Sequence, residues 1–148
     1  MQSQQSQTSW KPKAILFDLL TALLDSWTLW NTCAGNQEAG RSWRAKYLDI
    51  TFSCGAYQPY STLVRRAAAE CGAFPSGGVA EEGATALISR WGELKAWEEV
   101  PDVLKQLREK EYKLGVVTNC SRVLGRRAAK CVGEDVDFDV VVTAEDSG

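Results

Sequence analysis

An aspartate delivered by a short apolar run can act as a nucleophile, and this chain carries one in Lys13-Ala-Ile-Leu-Phe-Asp18, followed by Leu-Leu-Thr-Ala-Leu-Leu-Asp25. A carboxylate can attack an electrophilic carbon and form an ester that water then cleaves. Its charge needs donors close by. The N–H groups of the following turn, the Thr118 hydroxyl and the Asn119 amide are the donors available. Taken alone, Asp18 reads more simply as a cap for its turn or the next helix. The presence of Thr118-Asn119 at the end of a second apolar run, Leu114-Gly-Val-Val, turns the reading toward a site. The chain has no histidine, so Ser-His-Asp and Cys-His catalysis and His-ligated metals are excluded within it. Any chemistry rests on carboxylates.

Other side chains are weighed the same way. Arg41 and Arg65 read as solvated helix charges. Arg44 stands beside Trp43 in a segment expected to roof the crevice, where a guanidinium can hold a carboxylate through two parallel hydrogen bonds. The tryptophans default to core packing, and Trp97 reads as structural. Asp25 is expected to cap or buttress the turn after the first strand. Cys120 lacks a base that would make it a nucleophile.

The elements that position these residues follow from periodicity. Ala14 to Phe17 reads as a buried strand, with Asp18 at its carboxyl end, where chemistry sits in α/β sheets. Trp27 to about Ala96 reads as helical with no strand, with helices at Ser42 to Phe52, Tyr60 to Glu70 and Ala80 to Trp91, and a loop at Phe74-Pro-Ser-Gly-Gly78. Pro101 suits a first helical position, and Val103, Leu104 and Leu107 share one face up to Lys110. Leu114 to Thr118 is a second buried strand, Val123 to Val132 a helix and Asp139 to Thr143 a third strand. That order makes a right-handed parallel crossover. The expected fold is a parallel α/β core interrupted after its first strand by an all-helical insertion. Asp18 and Thr118 should point into one crevice beneath it. The boundaries are a tail at 1–10, a core at 11–26 and 99–148, and the insertion at 27–98.

Bulk properties narrow the partners. With 17 basic and 19 acidic residues the net charge is −2, which is no nucleic-acid footprint. No apolar run approaches the ~20 residues of a membrane span. The Gln/Ser-rich start is no secretory signal. Five scattered cysteines, odd in number and without metal-site spacing, suggest a reduced, cytoplasmic protein.

These motifs together resemble the haloacid dehalogenase (HAD) superfamily, and most of all its 2-haloacid dehalogenase branch. Phe17-Asp18-Leu-Leu-Thr-Ala-Leu-Leu-Asp25-Ser26 resembles its first motif. Val116-Val-Thr118-Asn-Cys-Ser121 resembles the second, including the Asn that marks the dehalogenases. The resemblance implies a Rossmann-like sheet, a helical cap at 27–98, and Arg44 of the Trp43-Arg44 pair gripping a small carboxylate-bearing substrate. Asp18, Thr118 and Asn119 would be catalytic, with Leu19 and Leu20 also against the substrate. No metal and no cofactor are implied. Phosphatases of the superfamily carry an acid where Leu20 stands. An aliphatic side chain donates no proton, which disfavours phosphate esters.

Two departures matter. The family's Gly-Thr after the nucleophile is replaced by Thr21-Ala22, and Thr21 is expected to supply part of that function one residue early. The family's third and fourth motifs, a Lys and a polar, acidic group, are expected beyond Gly148, with Ala144-Glu-Asp-Ser-Gly148 leading up to them. On that reading the chain is truncated and the first strand forms an uncovered apolar edge, open to a second copy in a homodimer. The alternatives are therefore a silent fragment that pairs through this edge, or a hydrolase of another small substrate on the same fold.

Overall fold

The computed structural model describes residues 11–148, so the expected tail at 1–10 lies outside the described residues. In chain order the elements are β1 (Ala14–Asp18), β2 (Leu24–Asp25), α1 (Ser26–Ala34), α2 (Gln37–Ser53), α3 (Tyr60–Glu70) and α4 (Gly77–Ser89). A 3-10 turn at Trp91–Glu93 leads to β3 (Lys95–Ala96). The chain continues through α5 (Val100–Glu109), β4 (Lys113–Thr118), α6 (Arg122–Lys130), β5 (Val140–Thr143) and α7 (Ala144–Ser147). The fold is α/β, a parallel core with a helical cap, as the sequence implies.

β1, β4 and β5 form a parallel sheet in the order β1-β4-β5. Both crossovers step the same way across the sheet. Right-handed connections therefore lay α5 and α6 on one face. That face presents Ile15, Phe17, Leu114, Val116, Val141 and Thr143. α6 can approach it closely because position 125 is glycine: a Cβ there would stand 2.8 Å from Thr143 Cγ2 and 3.1 Å from Thr118 Cγ2. On the opposite face Leu16, Val117 and Val140 are 62%, 46% and 46% exposed. The first strand is thus not fully buried, contrary to what the apolar run alone suggests, but forms the open apolar edge expected of it. β1 is an edge strand, and its outward face has no covering helix among the described residues.

The insertion is not wholly helical either. Leu24 pairs with Ala96 and Asp25 with Lys95, so an antiparallel two-residue ribbon joins the cap to the core. Two residues are too few to leave a periodic signal. The helices begin where side chains satisfy free N–H groups. Asp25 accepts from Thr28 N at 3.1 Å and Thr28 Oγ1 at 2.6 Å, Asn36 from Ala39 N at 2.9 Å, and Ser76 from Val79 N at 3.3 Å. The Ser76 cap is why α4 starts at Gly77, inside the segment expected to be a loop.

The cap packs around a chain of rings. Trp30 meets Trp43 at 4.6 Å and Tyr47 at 5.5 Å, Tyr47 meets Tyr60 at 5.1 Å, and Tyr60 meets Trp91 at 5.1 Å between centroids. Trp91 then donates its indole N–H to the Leu124 carbonyl of α6 at 3.0 Å, fastening cap to core. No helix among the described residues is long and apolar enough to cross a membrane.

Candidate active site

β1 ends at Asp18, and the chain then folds back on itself. The Leu19 carbonyl accepts from Leu23 N at 3.2 Å and Leu24 N at 3.1 Å, closing a tight turn. Leu19 and Leu23 point into the core and pin the turn beneath the cap. Asp18 stays exposed, and its Oδ2 accepts from Thr21 Oγ1 at 3.1 Å. Thr21 thus holds the carboxylate from the departed family position.

Thr118 does not. The register sets Asp18 opposite Val117, so Thr118 lies one residue farther on and on the other face, opposite Thr143. The register thus sets the Thr118 side chain on the face of the sheet opposite that of Asp18. Its side chain is buried, and its hydroxyl has no hydrogen-bond partner among the described residues. Asn119 lines a cleft of about 220 Å³ with Tyr57, Gln58, Cys54 and Ser147, a cleft that neither Asp18 nor Arg44 lines. Leu19 and Leu20 are buried in the apolar core rather than presented to an open crevice.

Arg44 is where the cap contributes. It is buried at 6% exposure, and its Nη1 donates to Ser26 Oγ at 2.7 Å. Its guanidinium lies 4.1 Å from the Trp27 ring centre and 5.9 Å from that of Trp30. Burial lowers its pKa, while Tyr60, Tyr47, Asp18 and Asp25 pull the other way. Among the described residues no carboxylate lies within ion-pair distance of it. A buried cation without an acid is costly unless an anion completes it. Trp43 instead packs in the core and donates to the Val64 carbonyl at 2.9 Å.

Two features here escaped the sequence, the Tyr47–Tyr60 pair and Ser26. Tyr47 and Tyr60 are both buried, their hydroxyls lack partners among the described residues, and burial holds both phenols above their ordinary pKa. Both act electrostatically on Arg44. At helical spacing such tyrosines look like packing. Ser26 had no assigned role, and its bond to Arg44 spans 18 positions. Cys120 is fully buried, and burial pushes its thiol up to about 12, against the Thr118 hydroxyl and with the charge of Asp18. It is no thiolate nucleophile.

Residues 15–148 match the model of the haloacid dehalogenase-like hydrolases. Nothing among the curated proteins matches the chain. Among solved structures it is similar to a dehalogenase at TM-score 0.74 and 20% identity, over 91% of this chain and 63% of that one. It is similar to an L-2-haloacid dehalogenase at TM-score 0.73 and 24% identity, over 90% and 64% of the two chains. The L-2-haloacid dehalogenase from Xanthobacter autotrophicus gives TM-score 0.70 and 19% identity, over 88% and 56%. The chain thus spans less than two thirds of the length of the dehalogenases it resembles.

Proposed function

The chain belongs to the haloacid dehalogenase-like hydrolase family, and from that premise we propose that it carries the nucleophile and the carboxylate anchor of a 2-haloacid dehalogenase. Arg44 holds the substrate carboxylate. Asp18 Oδ1, the oxygen not engaged by Thr21, attacks the halogen-bearing carbon. The carbon–halogen bond breaks, and its electron pair leaves with the halide. Water then adds to the Asp18 ester carbonyl, returning the carboxylate and releasing a 2-hydroxy acid.

The observation that carries this reading is Arg44. It is a buried guanidinium, bonded to Ser26 and lying over Trp27, with no carboxylate within ion-pair distance among the described residues. The position of Leu20, where a phosphatase would need a proton donor, supports halide over phosphate as leaving group. A related structure from Xanthobacter autotrophicus is described as a dehalogenase with chloropropionic acid covalently bound. Five unpaired cysteines support a reducing compartment such as the cytoplasm for this chemistry.

Incubation with 2-chloropropionate, followed by digestion and mass spectrometry, tests it. The expected result is an adduct on the peptide bearing Asp18, absent in Asp18→Asn and weak in Arg44→Lys. A folded protein that forms no adduct overturns the reading.

The open strand favours a second reading. β1 has an unpaired outer edge among the described residues, and Leu16 is 62% exposed beside it. In this reading the chain is silent and pairs β1 with β1 of a second copy. Sedimentation would then give a dimer that Leu16→Lys dissociates. A wild-type monomer rules it out.

A further inference from the structure

Trp97 stands directly after β3, where the chain leaves the cap for the core. Its backbone N–H donates to the Leu23 carbonyl at 3.2 Å, and its indole N–H donates to the Thr21 carbonyl at 2.9 Å. The hydroxyl of the same Thr21 donates to Asp18 Oδ2 at 3.1 Å. Trp97 and Thr21 are 76 positions apart in sequence. The returning leg of the cap therefore grips the residue that, among the described residues, hydrogen-bonds the exposed carboxylate.

We propose that Trp97 is a positioning residue, which fixes the orientation of Asp18 through Thr21 and ties it to the seating of the cap. The inference rests on Asp18 being the attacking group, as read above. Three geometric facts carry it. The ribbon pairing of Leu24 with Ala96 is only two residues long, so the indole bond is a substantial share of what locks the two legs together. The turn from Leu19 to Leu24 is closed at its base by the Leu19 carbonyl, leaving its outer limb at Thr21 to be fixed by Trp97. Finally, Trp97 is 36% exposed, so full burial does not hold its side chain and the indole bond contributes to fixing it. A shift of the β3 leg displaces the Thr21 carbonyl and, with it, the hydroxyl on Asp18. Reaction geometry is sensitive to displacements of about 1 Å.

The test does not require turnover. In the 15N-labelled chain the indole N–H signal of Trp97 is assigned by its loss in Trp97→Phe. Asp18→Asn should move that signal in the wild-type background and in Thr21→Ser, which keeps the hydroxyl. It should not move it in Thr21→Val, or in Thr21→Ala should the valine disturb folding. No movement in the wild-type background, or equal movement with and without the hydroxyl, overturns the proposal. With 2-chloropropionate, Trp97→Phe keeps an aromatic side chain but loses the five-membered ring together with its N–H donor. It should slow ester formation on Asp18 about five- to tenfold while KM is unchanged, the size expected for one hydrogen bond. A rise in KM with an unchanged rate also overturns it. If the indole signal responds as expected but no ester forms, the dehalogenase reading fails and the link from Trp97 to Asp18 stands.

Discussion

Arg44 lies over the Trp27 ring, its guanidinium carbon 4.1 Å from the ring centre. The stacking and the bond to Ser26 fix the fork while leaving its remaining donors for a ligand. Lysine keeps the charge but not the plane or the paired donors. Arg44→Lys should weaken binding of 2-chloropropionate by about tenfold or more, which isothermal calorimetry on the Asp18→Asn background would read. Arg44→Met should abolish that binding yet keep or raise the melting temperature, because an apolar side chain removes a buried unpaired charge.

Tyr60 makes a second prediction. Its hydroxyl is buried without a partner among the described residues, and such a group costs about 1–3 kcal/mol. Tyr60→Phe deletes the oxygen and keeps the ring contacts with Tyr47 and Trp91. Urea unfolding without ligand should show equal or higher stability. A loss above about 1 kcal/mol would mean the hydroxyl is satisfied in solution.

Asp139 sets an acid limit. The Leu114 N–H at 2.8 Å, the Arg108 side chain and Lys113 at 3.5 Å hold its pKa down at about 2, against an ordinary 3.8. Above pH 4 the native carboxylate contributes its full stabilisation. As pH falls through that range the unfolded chain takes up the proton first, so stability drops until about pH 2. Asp139→Asn should be less stable at neutral pH and should show a flatter acid limb, measured by thermal melts from pH 2 to 6.

Gly125 governs how closely α6 sits on the strand ends. A methyl there must push aside Thr143 Cγ2 and Thr118 Cγ2. Gly125→Ala should cost about 1–3 kcal/mol by denaturant unfolding, more than its helix propensity would return.

The parts legible in the sequence were those written in short-range patterns. Apolar runs ending in Asp18 and Thr118 marked two strands, and the step from Pro101 to Lys110 marked α5. Asp25 as a cap was readable because the residue types that begin helices are few. What stayed hidden depends on register and on distant partners. Nothing local says that Asp18 faces Val117 rather than Thr118, and that single step moves the expected hydroxyl to the wrong side of the sheet. The Trp97 bond to Thr21 and the Ser26 bond to Arg44 join segments that folding alone brings together. Tyr47 and Tyr60 were masked by their own apolar bodies, which pack as the pattern requires while their hydroxyls go unmatched.

The chain of rings from Trp30 to Trp91 has an optical consequence. Three of these rings are indoles buried in or against the cap, and β1, β4 and β5 contain no tryptophan. Intrinsic emission and near-ultraviolet dichroism therefore report mainly on the cap, while the far-ultraviolet band reports on the whole backbone. Because Trp91 is bonded to Leu124 of α6 and Trp97 to Thr21, parting of the cap from the core would change the environment of both indoles. The protein carries its own probe for that motion, readable without any added label.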